Sequence, residues 1–174
     1  SASTPLNALA GQLPMLSKGQ AHRIKNAMRA DIADVPAYLA EFYYKTGGGQ
    51  GAHHHHNLIL AAFNAGAGRV PDFRVRAAHA LKHRIAAALG HRDIDFQDDP
   101  ACSDAYVLQA PNEAAARDYF DHRRRSHLTD VDPRPTIESH TGWVVILQDR
   151  PKPINAKTVT KAIEHAFEVC GLLL

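Results

Sequence analysis

Cysteine is nearly absent: Cys102 and Cys170 are the only two in 174 residues, and their separation excludes a CxxC redox pair and a thiolate zinc cluster. Both read as structural thiols rather than as a disulfide. Long apolar runs are missing too. None approaches the roughly 20 residues that a membrane-spanning helix requires, and residues 1–19 lack the charged-then-apolar layout of a signal peptide. The chain therefore reads as soluble and cytoplasmic, with no membrane partner. Catalytic patterns are equally scarce. Gly47-Gly-Gly-Gln-Gly51 lacks the GxxxxGK(S/T) form of a phosphate-binding loop, and the aspartates of residues 93–104 lack EF-hand spacing. Neither a Ser-His-Asp set nor a nucleophilic cysteine context can be assembled, so a non-enzymatic role is the expectation.

Acidic residues are scarce in one half only. Residues 1–92 hold four Asp and Glu against eleven Lys and Arg, whereas residues 93–174 hold fourteen against nine, within an overall charge of +2. Eight of the twelve histidines also fall in the positive half, and histidine adds charge in mild acid. This asymmetry points either to a polyanionic partner for one half or to two halves that pack against each other electrostatically. At 45% hydrophobic the chain has enough apolar surface for one compact domain. Its regions read as a basic helical part (1–92), an acidic junction (93–104) and an α/β part (105–174).

Helical spacing dominates the reading of the first half. Residues 1–16, with Pro5, Gly11 and Pro14, read as an arm with at most one short turn. After Ser17, the residues Ala21, Ile24, Met28 and Ile32 recur at intervals of three and four, as on one helix face. Asp34 and Pro36 open a second helix that turns Leu39, Phe42 and Tyr43 inward and stops at Gly47. Asn57 to Ala65 reads as a short buried helix ended by Gly66, and Pro71-Asp72 opens an amphipathic helix to Leu89 with His79 and His83 a turn apart.

Beyond a solvated acidic linker, the pattern alternates. Residues 105–110 suggest a strand, and Asn112 caps a helix through Arg125. Thr136 to Ser139 is a short strand and Trp143-Val-Val-Ile-Leu147 a buried one. Asn155 caps a last helix, with Ile154 and Val159 as a hydrophobic staple. The predicted class is α+β: a helical first half followed by a small α/β sandwich of order strand, helix, strand, strand, helix.

Three constellations carry chemistry. Cations at helical spacing suit a phosphate backbone, which makes Lys18, Arg23, Lys25, Arg29, Arg74, Arg76, Lys82 and Arg84 the candidate nucleic-acid surface. Arg123, Arg124 and Arg125 join them, being able to grip phosphates or to neutralise the negative end of their own helix. His53, His54, His55 and His56 offer imidazoles to a divalent metal, but four adjacent residues cannot aim at one centre without an irregular backbone. Metal binding there is expected to be adventitious, with no resident cofactor. Finally, Glu138 and His140 would share one side of a strand, as when a carboxylate orients an imidazole.

Leu60-Ala-Ala-Phe-Asn-Ala-Gly-Ala-Gly-Arg-Val70 resembles the A-A-Y-N-A-G-x-G-x-V segment of lysozyme-like lytic transglycosylases, which cleave peptidoglycan glycan strands. Tyr38-Leu39 and Gly47-Gly48 resemble what precedes that segment in the family, so the likeness is confined to residues 34–70. It implies a saccharide contact at Asn64. The family's tyrosine is Phe63 here, and its catalytic glutamate in an E-S-x-F context and its G-L-M-Q segment are absent. Without that carboxylic acid nothing protonates a leaving glycosidic oxygen.

Three functional classes follow. The first is a non-enzymatic, nucleic-acid-associated accessory protein of a bacterial or mobile-element system, using the basic helical face. The second is a lysozyme-like peptidoglycan-binding domain or degenerate transglycosylase. The third is a structural subunit of a larger assembly, with the apolar Gly171-Leu-Leu-Leu174 meeting a protein partner or a second copy.

Overall fold

In the computed structural model the chain forms strands over residues 20–32, 35–46, 53–63 and 73–77, where helices are expected. The structure describes residues 3–10, 12–13, 15–17, 19–32, 34–48, 51–63, 70–78, 93–149 and 156–174. The elements run α1 (Ser3–Ala10), β1 (Gln20–Ile32), β2 (Val35–Thr46), β3 (His53–Phe63), β4 (Phe73–Ala77), α2 (Pro100–Ala105), β5 (Tyr106–Gln109), α3 (Glu113–Tyr119), α4 (His122–Asp130), β6 (Thr136–His140), β7 (Trp143–Asp149) and α5 (Ala156–Leu173). All seven strands join one sheet of order β1-β2-β3-β7-β6-β4-β5, antiparallel at every pairing. The expected helical first half followed by a separate sandwich is thus replaced by a single sheet drawing strands from both halves.

The central strands explain why apolar residues fill consecutive positions. On β3, Ile59 and Ala61 pack with Val145 of β7 on one face, while Leu60 and Ala62 pack with Val144 and Ile146 on the other. A strand covered on both faces loses the alternation that marks a half-buried one. Its run then looks like a buried helix, and β-branched and aromatic content becomes the better guide. β2 behaves the same way, sending Ala37 and Leu39 to one face and Ala40 and Phe42 to the other.

Two β-bulges explain the false helix over β1. The pairing with β2 shifts between Gln20 and Arg23 and again between Lys25 and Met28, and Ala21 and Asn26 adopt left-handed backbone beside the shifts. Each extra residue reverses which face the following side chains take. Ile24 therefore lies opposite Phe42 on one face, whereas Met28 and Ile32 lie opposite Leu39 and Val35 on the other.

Helices cover both faces. α2, α3, α4 and α5 supply Cys102, Ala116, Leu128, Val169 and Leu173 to one side of the sheet. On the other side α1 and the turns after it bury Leu6, Leu9, Leu13, Met15 and Leu16. The described residues from 3 to 16 are thus no loose arm: Leu6, Leu9, Leu13 and Leu16, spaced by three, four and three, form an apolar stripe, each fully buried leucine contributing about 1.5–3 kcal/mol. Residues 93–104 are no solvated linker either. Ile94 and Phe96 are core residues, Asp93 accepts from the Leu108 amide at 3.1 Å, and Asp99 caps α2. The helix expected through Arg125 breaks at Phe120, and Asp121 caps a second one. Asn112 caps α3 as expected, accepting from Ala115 N–H. Residues 154 and 155 lie outside the described residues. Among those described, no helix is long and apolar enough to cross a membrane.

The two cysteines are free and buried, and burial pushes Cys102 up to about 11 and Cys170 up to about 12. Iodoacetamide at neutral pH labels neither thiol in the folded chain and both in urea; because unfolded thiols ionise first, stability is full below about pH 9 and falls as pH rises toward 12. In urea titrations, Leu60→Ala costs about 2–5 kcal/mol. Met28→Ala, at a side chain 57% exposed, stays within about 0.5 kcal/mol.

Candidate functional site

On the α1 side of the sheet, three neighbouring strands present polar groups where an apolar core would otherwise continue. β4 alternates strictly: Phe73 and Val75 face the helices, so Arg74 and Arg76 face the other way. The register places Arg74 opposite Glu138 of β6 and opposite Gln109 of β5. Arg74 Nη2 donates to Glu138 Oε1 at 2.6 Å, and the Met15 backbone N–H donates to Glu138 Oε2 at 2.9 Å. Arg76 Nη2 donates to Gln109 Oε1 at 3.0 Å. Burial, reinforced by the neighbouring Arg74 charge, lowers the affinity of Arg76 for its proton. Arg74 and Glu138 are 8% and 5% exposed, so theirs is a buried ion pair whose remaining carboxylate oxygen is satisfied by backbone.

A second pair lies beside it. His140 Nδ1 is 2.8 Å from Asp72 Oδ2, and Thr141 N–H donates to Asp72 Oδ1 at 3.0 Å. Thr141 and Gly142 both have positive φ and join β6 to β7, as a two-residue type I′ hairpin turn requires. Asp72 thereby fixes the turn and the imidazole together. Between the two pairs lies a cavity of about 250 Å³, walled by Gln12, Phe73, Ala110 and Pro111 and by the four side chains of those pairs. Glu138 and His140 do lie on the same side of β6, as expected. Their partners differ, however: Asp72 and not Glu138 orients the histidine. The Asp72 contact was hidden because it spans 68 positions; only the Thr-Gly turn before Trp143 was a readable signal.

The candidate nucleic-acid residues do not form one face. Arg23 and Lys25 share one face of β1 with Tyr43, while Arg29 lies on the other, 3.8 Å from Asp31. Arg74 is consumed by Glu138 and Arg76 by Gln109. Arg125 is buried, bridging Asp98 at 2.6 Å and Asp99 at 3.2 Å over the Phe96 ring. Arg124 stacks on Tyr119 and donates to the Leu172 carbonyl, and Arg123 is exposed. Lys18, Asn64, His79, Lys82, His83 and Arg84 lie outside the described residues. A basic helical face binding nucleic acid is therefore not what these residues build.

The histidines split by strand alternation. His53 and His55 point to the face of Thr46 and Tyr44, and His54 and His56 to that of Lys45 and Tyr43. His55 stacks on Tyr44 with ring centroids 4.4 Å apart and its Nε2 meets Thr46 Oγ1 at 2.8 Å; His56 sets an edge against Tyr43. Four ligands to one ion are excluded by that geometry. Among the described residues, no three His, Cys, Asp or Glu side chains are grouped to hold a metal.

No protein-family model matches the chain, and no curated protein matches it in sequence. Its fold is similar to the crystal structure of the mycobacterial trehalose monomycolate transport factor A, TtfA, with a TM-score of 0.57. The likeness covers 95% of this chain and 84% of that one at 13% identity, so it speaks for the fold alone. A sheet-rich fold of this kind, with the dispersed arginines, replaces the expected basic helical face and lends no support to nucleic-acid binding or to a lysozyme-like function.

The buried pair is expected to be energetically distinct from surface pairs. Glu138→Gln leaves a buried guanidinium uncompensated and costs about 3–5 kcal/mol in a urea titration. Glu113→Gln, breaking an exposed pair with Arg117 on α3, costs at most about 1 kcal/mol.

Proposed function

We propose that the chain is a non-catalytic accessory domain that works inside a larger protein assembly, docking an acidic partner protein on the outer face of β1, β2 and β3. The observation that carries this reading is the reach of those strands past β7. Among the described residues, β3 is paired on both sides only over Asn57–Ala62, and His53–His56 pair with β2 alone. Arg23, Lys45 and Tyr43 share one face of the projecting part, and Lys25 and Met28 lie farther along the same face. Lys25 lies over the Tyr43 ring, and Glu41, the acid of this face, accepts from Tyr43 Oη and Asn26 Nδ2. Arginine, methionine and tyrosine on one open surface match the make-up of interfaces, and the excess of cations selects an acidic counterpart.

The face, rather than the strand edge, is the docking element. Two bulges and flanking cations on β1 are the devices by which edge strands avoid pairing with another chain. The fold relative carries the name of a transport factor, and an accessory role of that sort fits a domain whose cavity charges are bound to one another rather than left poised for chemistry.

A photo-crosslinking amino acid placed at Lys25 or Met28 in the producing cell is expected to yield a discrete higher-mass adduct with a protein whose contact surface is acidic. The same group at Glu113 or Asp130 yields none. Combined Arg23→Glu, Lys25→Glu and Lys45→Glu changes abolish the adduct while leaving the thermal midpoint within a few degrees. Adducts that are equal on both surfaces, absent from β1, or insensitive to charge reversal would refute the reading.

A further inference from the structure

Strand alternation sorts the four consecutive histidines into two pairs with different surroundings. His53 and His55 stand on the α1 side of the sheet, where His55 stacks on Tyr44 and meets the Thr46 hydroxyl. His54 and His56 stand on the outer face, both exposed, opposite Lys45 and Tyr43 in the register with β2. Tyr43 in turn lies opposite Arg23 of β1, so two imidazoles lie among the cations of the face that docks an acidic partner. We infer that His54 and His56 make this docking pH-dependent, tightening it as the surroundings acidify, an inference that rests on the docking reading.

Imidazole is the side chain that ordinarily changes charge between about pH 5 and 8. A carboxylate brought close to it favours the charged form, so the arrival of an acidic surface takes up protons. Linkage then makes acidification strengthen docking by the same free energy. The neighbours fix the sign. Arg23, Lys25 and Lys45 carry positive charge on this face, and its acid, Glu41, accepts from Tyr43 Oη and Asn26 Nδ2. Lys25 lies over the Tyr43 ring, and His56 sets against the same ring with centroids 4.4 Å apart. On this side of the sheet α5 packs on β1 and β3 and brings exposed Lys157, Lys161, Glu164 and Glu168. Its Gly171 lies beside Ile32, at the far end of β1 from Arg23, so the two glutamates lie nearer that far end than the two lysines do. Partner carboxylates ordinarily stay ionised down to about pH 5. Mild acid therefore adds positive charge to the face without discharging what it meets, and the added affinity is lost as pH rises toward neutrality. His53 and His55, turned to the other side of the same strand, supply an internal comparison.

The test is an anisotropy titration of a rhodamine-labelled peptide of alternating aspartate and serine with the full chain, from about pH 7.5 to about pH 5.5, where histidine gains charge and aspartate keeps it. Affinity is expected to rise about three- to tenfold in acid, the worth of two further exposed ion pairs. Combined His54→Gln and His56→Gln changes remove most of that rise, whereas His53→Gln with His55→Gln keeps it. In NMR of the unaltered chain, added peptide moves the titration midpoints of the His54 and His56 rings upward and leaves those of His53 and His55 in place. A rise that survives loss of His54 and His56, a rise lost equally with His53 and His55, midpoints that do not move, or no rise at all would overturn the inference. Where Arg23→Glu, Lys25→Glu and Lys45→Glu together still abolish binding, the docking face stands without its pH response. Binding indifferent to that charge reversal at both pH values would remove the docking reading and this inference with it.

Discussion

A strand with both faces out of water has to be covered twice, and that requirement, imposed by β3 and β7, decides the layering of the whole molecule. One cover is ample, with four helices from the second half packing on the sheet through Leu128, Val169 and Leu173. The other is α1 and the turns after it. An eight-residue helix is about 12 Å long, whereas a seven-strand sheet is roughly 29 Å across at 4.8 Å per strand spacing. α1 therefore protects the centre of that face and leaves its flanks to other solutions. Toward β1 the sheet carries aromatic pairs such as His22 with Phe42 and Tyr44 with His55. Toward β4 and β6 it carries the Arg74–Glu138 pair.

Charge asymmetry along the chain finds its structural counterpart in that second flank. β4 comes from the basic half and sits between β5 and β6 of the acidic half. Arg74 meets Glu138 across one seam, and Asp72 meets His140 at the end of the same seam. Of the two meanings that the asymmetry allowed, packing of the halves against each other accounts for Arg74. A further part of the positive charge is local compensation: Arg125 is held by Asp98 and Asp99, which also draws the Asp98 carboxyl below its usual range. Among the described residues of the basic half, the exposed cations Arg23 and Lys25 lie on β1, and the half-buried Lys45 lies at the end of β2.

Legibility in the sequence followed the number of covered faces. β5, β6, β7 and α5 were readable because short β-branched runs and an amphipathic helix obey simple periods, and Asn112 marked its helix start directly. β1, β2 and β3 were misread for separate physical reasons. Bulges at Ala21 and Asn26 shifted the period of β1 toward helical intervals, and two-sided burial erased alternation in Ala37–Phe42 and Leu58–Ala62. Tyr38, Phe42, Tyr43 and Tyr44 in one short run were the available evidence for strand. Of the candidate site, Glu138 and His140 were legible as same-side residues. Asp72 and the Met15 amide were not, because both partners lie far along the chain and only the sheet order brings them in.

The segment that closes the α1-side core also walls the cleft. Leu13, Met15 and Leu16 cover Ile59 and Val145, while Gln12 lines the cavity and the Met15 amide is tied to Glu138. Docking of this segment and the shape of the cleft are consequently coupled. Lifting the segment off the sheet would remove Gln12 from the cleft and leave a buried Glu138 carboxylate oxygen without its donor. A single backbone hydrogen bond from Met15 to a buried carboxylate thus connects the covering of the core to the state of the cleft.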